Sequence, residues 1–168
     1  MTTIRQIETV RAGYRPERIT TLFVGESAPS SGEFFYYGRN RVWREIKDAV
    51  EAVFGPGGNF LERFKGYGWY LDDLVLEPVN DLPRAERKKA CLEAQDSLAS
   101  RIKEYRPRAI VCLLLLGIKP FVKAAAKKAG CNAPFYAVPF PVRHGRRFGK
   151  EIKPILPRLP KADALKKE

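Results

Sequence analysis

Residues 25–40 read GESAPSSGEFFYYGRN. The stretch joins a carboxylate and a hydroxyl, Glu26 and Ser27, to the consecutive aromatics Phe34, Phe35, Tyr36 and Tyr37. It opens on Gly25 after a short apolar run, Leu22-Phe23-Val24, and closes on the basic Gly38-Arg39-Asn40-Arg41. A carboxylate at a strand end, beside aromatic faces and cations, suits a pocket for a flat polar ring on an anionic backbone. A nucleobase has that form. A surface loop whose aromatics pack on the body of the domain has the same composition, so residue types alone leave both readings open.

Two other stretches carry chemistry. Asp72 and Asp73 interrupt the apolar pattern of Tyr67 to Leu76 (YGWYLDDLVL). An acidic pair in a strand is unfavourable unless it is partnered or near solvent. Farther on, Val142-Arg143-His144-Gly145-Arg146-Arg147-Phe148 combines three guanidiniums with the only histidine of the chain. Such a loop suits a polyanion.

The chain-wide numbers agree with an anionic partner. The net charge is +12, and the stretch from Pro141 to Glu168 holds nine Lys/Arg against three Asp/Glu, a net +6. Half of the excess thus falls in a sixth of the chain, and nucleic acid is the commonest partner for that pattern. At 168 residues one domain over 1–168 is expected, with an N-terminal arm over about 1–18 and a solvated basic tail over about 160–168. No apolar run approaches the roughly 20 residues of a membrane span. The N-terminus lacks the apolar stretch of a secretory signal, so a cytoplasmic monomer without a membrane partner is expected. Cys91, Cys112 and Cys131 lie far apart with no CxxC pair, which argues against a disulfide framework. Three cysteines and one histidine are too few, at unusable spacing, for a zinc or iron–sulfur site. No metal or cofactor is expected, and Cys112, in an apolar run, reads as core.

The elements that must position these residues follow from periodicity. Thr20 to Val24 reads as a buried strand. Val42, Trp43, Ile46, Val50 and Val53 share one face of a helix over 39–54, which Gly55-Pro56-Gly57-Gly58 stops. A helical turn is expected over 59–65, a strand over 67–76, and a helix over 84–105 with Cys91, Leu98, Ile102 and Tyr105 inward. Residues 109–116 (AIVCLLLL) form a continuous apolar run, as a buried parallel strand does. A helix to about Ala129, a strand over 135–140 and a short or broken helix over 149–159 complete the chain. Alternation of strand and helix predicts a three-layer α/β/α sandwich around a central four-stranded parallel sheet. Ligands of such sheets bind outside the carboxyl ends of the strands. The chemistry should therefore sit in 25–41, 77–82, 117–120 and 139–148.

In this order the pieces resemble the uracil-DNA glycosylase superfamily. Several of its branches end the first strand in a G-E-A-P-G-like motif that continues to T/S-G-x-P-F-V-G-R. This chain has Gly25-Glu26-Ser27-Ala28-Pro29 and then Ser31-Gly32-Glu33-Phe34-Phe35-Tyr36-Tyr37-Gly38-Arg39. The family's T-N-V-V-K-C-R-P-P and N-R-x-P are matched by Asp72-Asp73-Leu74-Val75-Leu76-Glu77-Pro78 and Asn80-Asp81-Leu82-Pro83, followed by Glu86 and Cys91. The apolar strand ending at Leu116-Gly117 is a third match, and Val138-Pro139-Phe140-Pro141 stands where the family has H-P-S-P or a relative. The resemblance spans about residues 20–150. Three departures accompany it: Val138 replaces the family's histidine, Ser27 replaces an Asp or Asn that several branches use to position water, and of the four cysteines that the iron–sulfur branch needs only Cys91 stands near a matching place.

The resemblance implies a DNA base-excision glycosylase that hydrolyses the N-glycosidic bond of uracil or another deaminated or damaged base. The alternative is a nucleic-acid- or nucleotide-binding protein of the same fold without catalysis. The chemistry requires a flipped base, held by an aromatic face and by hydrogen bonds to its polar edge. It also requires stabilisation of the oxocarbenium-like sugar and of the base anion. On this reading Glu26 positions water, with Asp72 or Asp73 as the other choice, and His144 is the available substitute for the missing histidine. Gly25, Ser27, Asn80 and one of Tyr36 or Phe35 bind the base. Arg39, Arg143, Arg146 and Arg147 grip the phosphates of single- or double-stranded DNA, and Phe148 or Val142 is the apolar wedge.

Overall fold

The computed structural model describes residues 3–114 and 117–162. The alternating apolar runs form four strands, β1 (Thr21–Gly25), β2 (Trp69–Asp73), β3 (Ala109–Leu114) and β4 (Phe135–Pro139). All pair in parallel, in the order β2-β1-β3-β4. β1 and β3 are central and buried almost throughout, which is why their sequences are apolar without alternation.

The helices are α1 (Ile4–Gly13), α2 (Arg41–Phe54), α3 (Phe60–Gly66), α4 (Arg84–Glu93), α5 (Gln95–Tyr105), α6 (Lys119–Lys128) and α7 (Gly145–Ile152). With the strand order β2-β1-β3-β4, the right-handed rule for parallel crossovers puts α2 and α3 on one face of the sheet and α4, α5 and α6 on the other. In keeping with this, α5 packs on α6, while α7 returns to pack on α2. The sheet is the middle of three layers, as expected. Asn40 and Asn59 cap α2 and α3 by accepting the N–H of Trp43 and of Glu62. The apolar stripe of α2 buries Ile46, Ala49 and Val50 in the core. Among the described residues no helix is long and apolar enough to cross a membrane.

Several boundaries differ from expectation. The N-terminal arm is no arm: a capping box between Thr3 and Gln6 starts α1, which buries Ile7 and Arg11. The helix expected over 84–105 is two helices meeting at Ala94, with no glycine or proline to mark the break. β2 is half the expected length, because Arg101 takes the carbonyls of Asp73 (2.7 Å) and Leu74 (3.1 Å) and turns the chain away. Helix α7 starts at Gly145, inside the stretch expected to be a loop, and Pro154 separates it from a final 3-10 turn at Leu156–Arg158. The start of the basic tail is pinned. The Pro160 carbonyl accepts from the Thr20 and Thr21 hydroxyls and the Trp69 indole at 2.9–3.0 Å. Residues 115–116 of the expected third strand and 163–168 of the tail lie outside the described residues.

Candidate functional site

The strand order reverses between β1 and β3, so the crevice for a ligand is expected outside their carboxyl ends. A cleft of about 470 Å³ lies there. Its walls are the loop Gly25–Phe35, the start of α2 (Asn40, Arg41, Val42), Leu71, Asp73 and Asn80 from the β2 side, Arg87 of α4, Leu113, and Phe140, Val142 and Arg143 after β4. That volume is of the size that takes a small organic ligand.

Backbone hydrogen bonds beyond the ends of β1 and β2 hold Glu26 at the cleft. Leu74 N–H donates to the Gly25 carbonyl and Val75 N–H to that of Glu26, both at 2.8 Å. The loops after β1 and β2 are then clasped together. Val79 N–H donates to Ser27 Oγ (3.2 Å), and Ser30 N–H donates to Asn80 Oδ1 (2.9 Å). Ser27 and Asn80 therefore line the cleft but hold its walls. The Asn80 amide further donates to Ser30 Oγ and Asp81 Oδ1, each at 3.4 Å.

Glu26 is 4% exposed. Its carboxylate is held side-on by Arg87, whose Nε donates to Oε1 (2.8 Å) and Oε2 (2.9 Å) and whose Nη2 donates to Oε1. Arg87 lies four residues before Cys91 on α4, and burial, aided by Glu26, pushes the Cys91 thiol up to about 11. That thiol stays protonated and unreactive near neutrality. Gly25 is required by a close approach. A Cβ there would lie 2.7 Å from Asp73 Oδ1.

Asp72 and Asp73 sit beneath the cleft in a second assembly. Asp73 Oδ2 accepts from Arg11 Nη2 (2.8 Å). Asp72 pairs with Arg101 Nη1 (2.8 Å), accepts the Tyr105 hydroxyl (3.0 Å) and lies 3.8 Å from Arg11 Nη1. Two guanidiniums thus face two carboxylates. Burial pushes the Asp73 carboxyl up, and Arg11 pulls it back. Burial would lower the Arg11 pKa, but Asp73, Asp72 and Glu8 outweigh it and hold the guanidinium charged. Asp73 touches the cleft; Asp72, 1% exposed and outside the cleft lining, is a structural counterion rather than a catalytic group.

Tyr36 does not stack on a ligand. It is 2% exposed, stacked on Tyr14 at 5.4 Å, and its hydroxyl accepts the Leu71 N–H (2.7 Å). Arg11 Nη1 donates to the Leu71 carbonyl (2.9 Å), so the outer edge of β2 is sealed by side chains. The aromatics around Tyr36 form a 3-10 turn, not a strand, which spreads their rings in different directions. Phe34 and Phe35, though mostly buried, border the cleft; Phe35 packs on Phe60 and Phe64.

The basic segment divides. Arg143 borders the cleft and also an outer groove that it shares with Arg41, Glu45, His144, Arg146 and Arg147. His144 is exposed, precedes α7 and is not in the cleft lining, so it does not replace the missing histidine there. Phe148 cannot be the wedge. It is fully buried in α7, and Val142, half-buried at the cleft, is the apolar residue left in that place. Arg39 is exposed but held by Glu33 through two bonds of 2.6 and 2.7 Å. Val138 is buried in β4 beside Leu113.

Periodicity and composition missed Arg87; Arg41 and Phe140 fell inside the stretches expected to carry the chemistry but were given no role. Arg41 had a signal, as the first residue after the Asn40 cap, which puts it at the helix start beside the loop. Arg87 had none, because α4 is polar on most of its surface. Among the described residues no cluster of three or more His, Cys, Asp or Glu is arranged to hold a metal. No protein-family model matches this chain, and no curated protein matches it.

Proposed function

We propose that the cleft takes a single base flipped out of DNA, and that the protein is a glycosylase hydrolysing the N-glycosidic bond of uracil or another deaminated or damaged base. The observation that carries this reading is the convergence on one cleft of Glu26, the aromatic rims of Phe34, Phe35 and Phe140, and the guanidiniums of Arg41 and Arg143. These are the groups needed for water, base and phosphate respectively. Glu26 positions the attacking water. A carboxylate offers about four acceptor directions, and Arg87 fills two on Oε1 and one on Oε2, so Oε2 keeps capacity for a water. Arg41 and Arg143 hold the phosphates flanking the flipped nucleotide, and Arg146 and Arg147 extend the grip along the outer groove.

A binding protein without catalysis is the second reading. It is favoured by the absence of a histidine from the described cleft lining, with Val138 buried and His144 outside. The two are separated by incubating the protein with single- and double-stranded oligonucleotides carrying uracil, hypoxanthine or xanthine, then treating with alkali. Strand scission by the wild type, lost in a folded Glu26→Gln variant, supports the enzyme. Salt-sensitive DNA binding with no abasic product from any substrate overturns it in favour of the binding protein.

A further inference from the structure

Breaking a glycosidic bond sends its electron pair into the departing base. The anion must be met by a donor in place before the bond breaks. With Val138 buried and His144 outside, the cleft wall offers one guanidinium beside Glu26, that of Arg87. Its Nε and Nη2 are aimed at Glu26, and among the described residues Nη1, with two N–H groups, makes no hydrogen bond. Its side chain keeps 15% exposure, while that of Glu26 keeps 3%, so the accessible part of the pair belongs to Arg87.

Resting on the base-excision reading, we infer that Arg87 is a catalytic residue that takes the negative charge of the leaving base, and that the base is a 2-oxopyrimidine such as uracil. Nη1 donates to the carbonyl next to the glycosidic nitrogen. It stands beside the carboxylate that faces the sugar, so the atom within its reach is the one next to the breaking bond. As the C1′–N bond breaks, its electrons pass to the base nitrogen and are shared with that carbonyl. Water oxygen bonds to C1′, the water's proton leaves to Glu26 or solvent, and the base anion is protonated by solvent after release. Arg87 keeps its proton throughout and acts by charge alone.

The test compares uracil with 5-fluorouracil in single-turnover excision, because the fluorinated base is a better leaving group and needs less help. Arg87→Gln leaves Glu26 a hydrogen-bond partner while removing the cation; Arg87→Lys keeps a cation. Loss of one such donor costs about 100-fold or more in rate. Arg87→Gln should therefore slow uracil excision by about 100-fold, slow 5-fluorouracil much less, and bind DNA as the wild type does. Arg87→Lys should fall between wild type and Arg87→Gln. Equal slowing of both bases in both variants overturns the inference and leaves the glycosylase reading standing, as does a wild type that releases hypoxanthine but no pyrimidine. A wild type that releases no base overturns the reading and the inference together. If Arg87→Gln does not fold, the uracil-to-5-fluorouracil rate ratio of Arg87→Lys against wild type decides: an unchanged ratio overturns the inference.

Discussion

Two carboxylate–guanidinium assemblies stand at the ends of adjacent strands and use the same residue types differently. After β1, Glu26 meets one arginine, Arg87, at the wall of a cleft. At the end of β2, Asp72 and Asp73 meet two, Arg11 and Arg101, with a phenol on Asp72 and backbone carbonyls taking further guanidinium N–H groups. The first assembly keeps donor and acceptor capacity directed at solvent. The second ties helices α1 and α5 to the sheet, and among its described carboxylate oxygens Asp73 Oδ1, at the cleft, is the one that makes no hydrogen bond. A carboxylate at a strand end is thus available for chemistry only where its partners leave capacity over.

The comparison breaks most readily at Arg11. Replacing it with Ala strands the buried Asp73 carboxylate, leaves Asp72 to Arg101 alone among the cations, and uncovers the Leu71 carbonyl, so a loss of about 3–5 kcal/mol is expected in urea unfolding. A loss under about 1 kcal/mol would show the β2 assembly to be as dispensable as a surface pair.

Alkaline pH is the next test. Burial raises the phenols of Tyr36, Tyr70 and Tyr105, which surround the β2 assembly, and the thiols of Cys91, to about 11, and Cys112, to about 12. The unfolded chain releases these protons near pH 9–10, while the fold retains them. Stability is therefore fully present below about pH 9 and falls as pH rises, by up to about 1.4 kcal/mol per pH unit for each group. Melting followed from pH 8 to 11, with tyrosinate absorbance read alongside, should show these phenols ionising only with unfolding. Their titration in the intact fold near pH 10 would contradict the burial argument.

Tyr36→Phe is smaller. It removes the acceptor of a buried backbone N–H and should cost about 1–3 kcal/mol while leaving DNA affinity unchanged. A loss of affinity at unchanged stability would restore Tyr36 to the ligand site. Arg87→Gln is expected in the same range, about 1–3 kcal/mol, because Gln keeps a hydrogen bond to the buried Glu26 but removes its cation. Arg146→Ala and Arg147→Ala should each lower the slope of log affinity against log salt by about one, with no change in melting.

The strands show how much was legible. Leu22-Phe23-Val24 and Ala109 to Leu113 are buried on both faces, and a run of apolar residues states that directly. The helix of 41–54 and its stop at Gly55 were equally plain. Asp72 and Asp73 were visible as an anomaly, but their meaning depended on Arg11, sixty-two residues from Asp73, and on Arg101. An arginine on a polar helix carries no local mark of burial. Tyr36 and Phe148 were misplaced for a related reason, since a 3-10 turn and an early start of α7 rotated them inward.

The sequence by itself determined the α/β alternation, the concentration of site residues after the strands, and the cationic character of their surroundings. These depend on periodicity, turn residues and net charge, which are local or additive. Only the tertiary structure decided that Glu26 and Asp73 reach the cleft while Asp72 does not, that Arg87 holds Glu26, and that Tyr36 seals a sheet edge. Those outcomes depend on partners brought together from distant positions, and a partner's donors are counted only once the chain has folded.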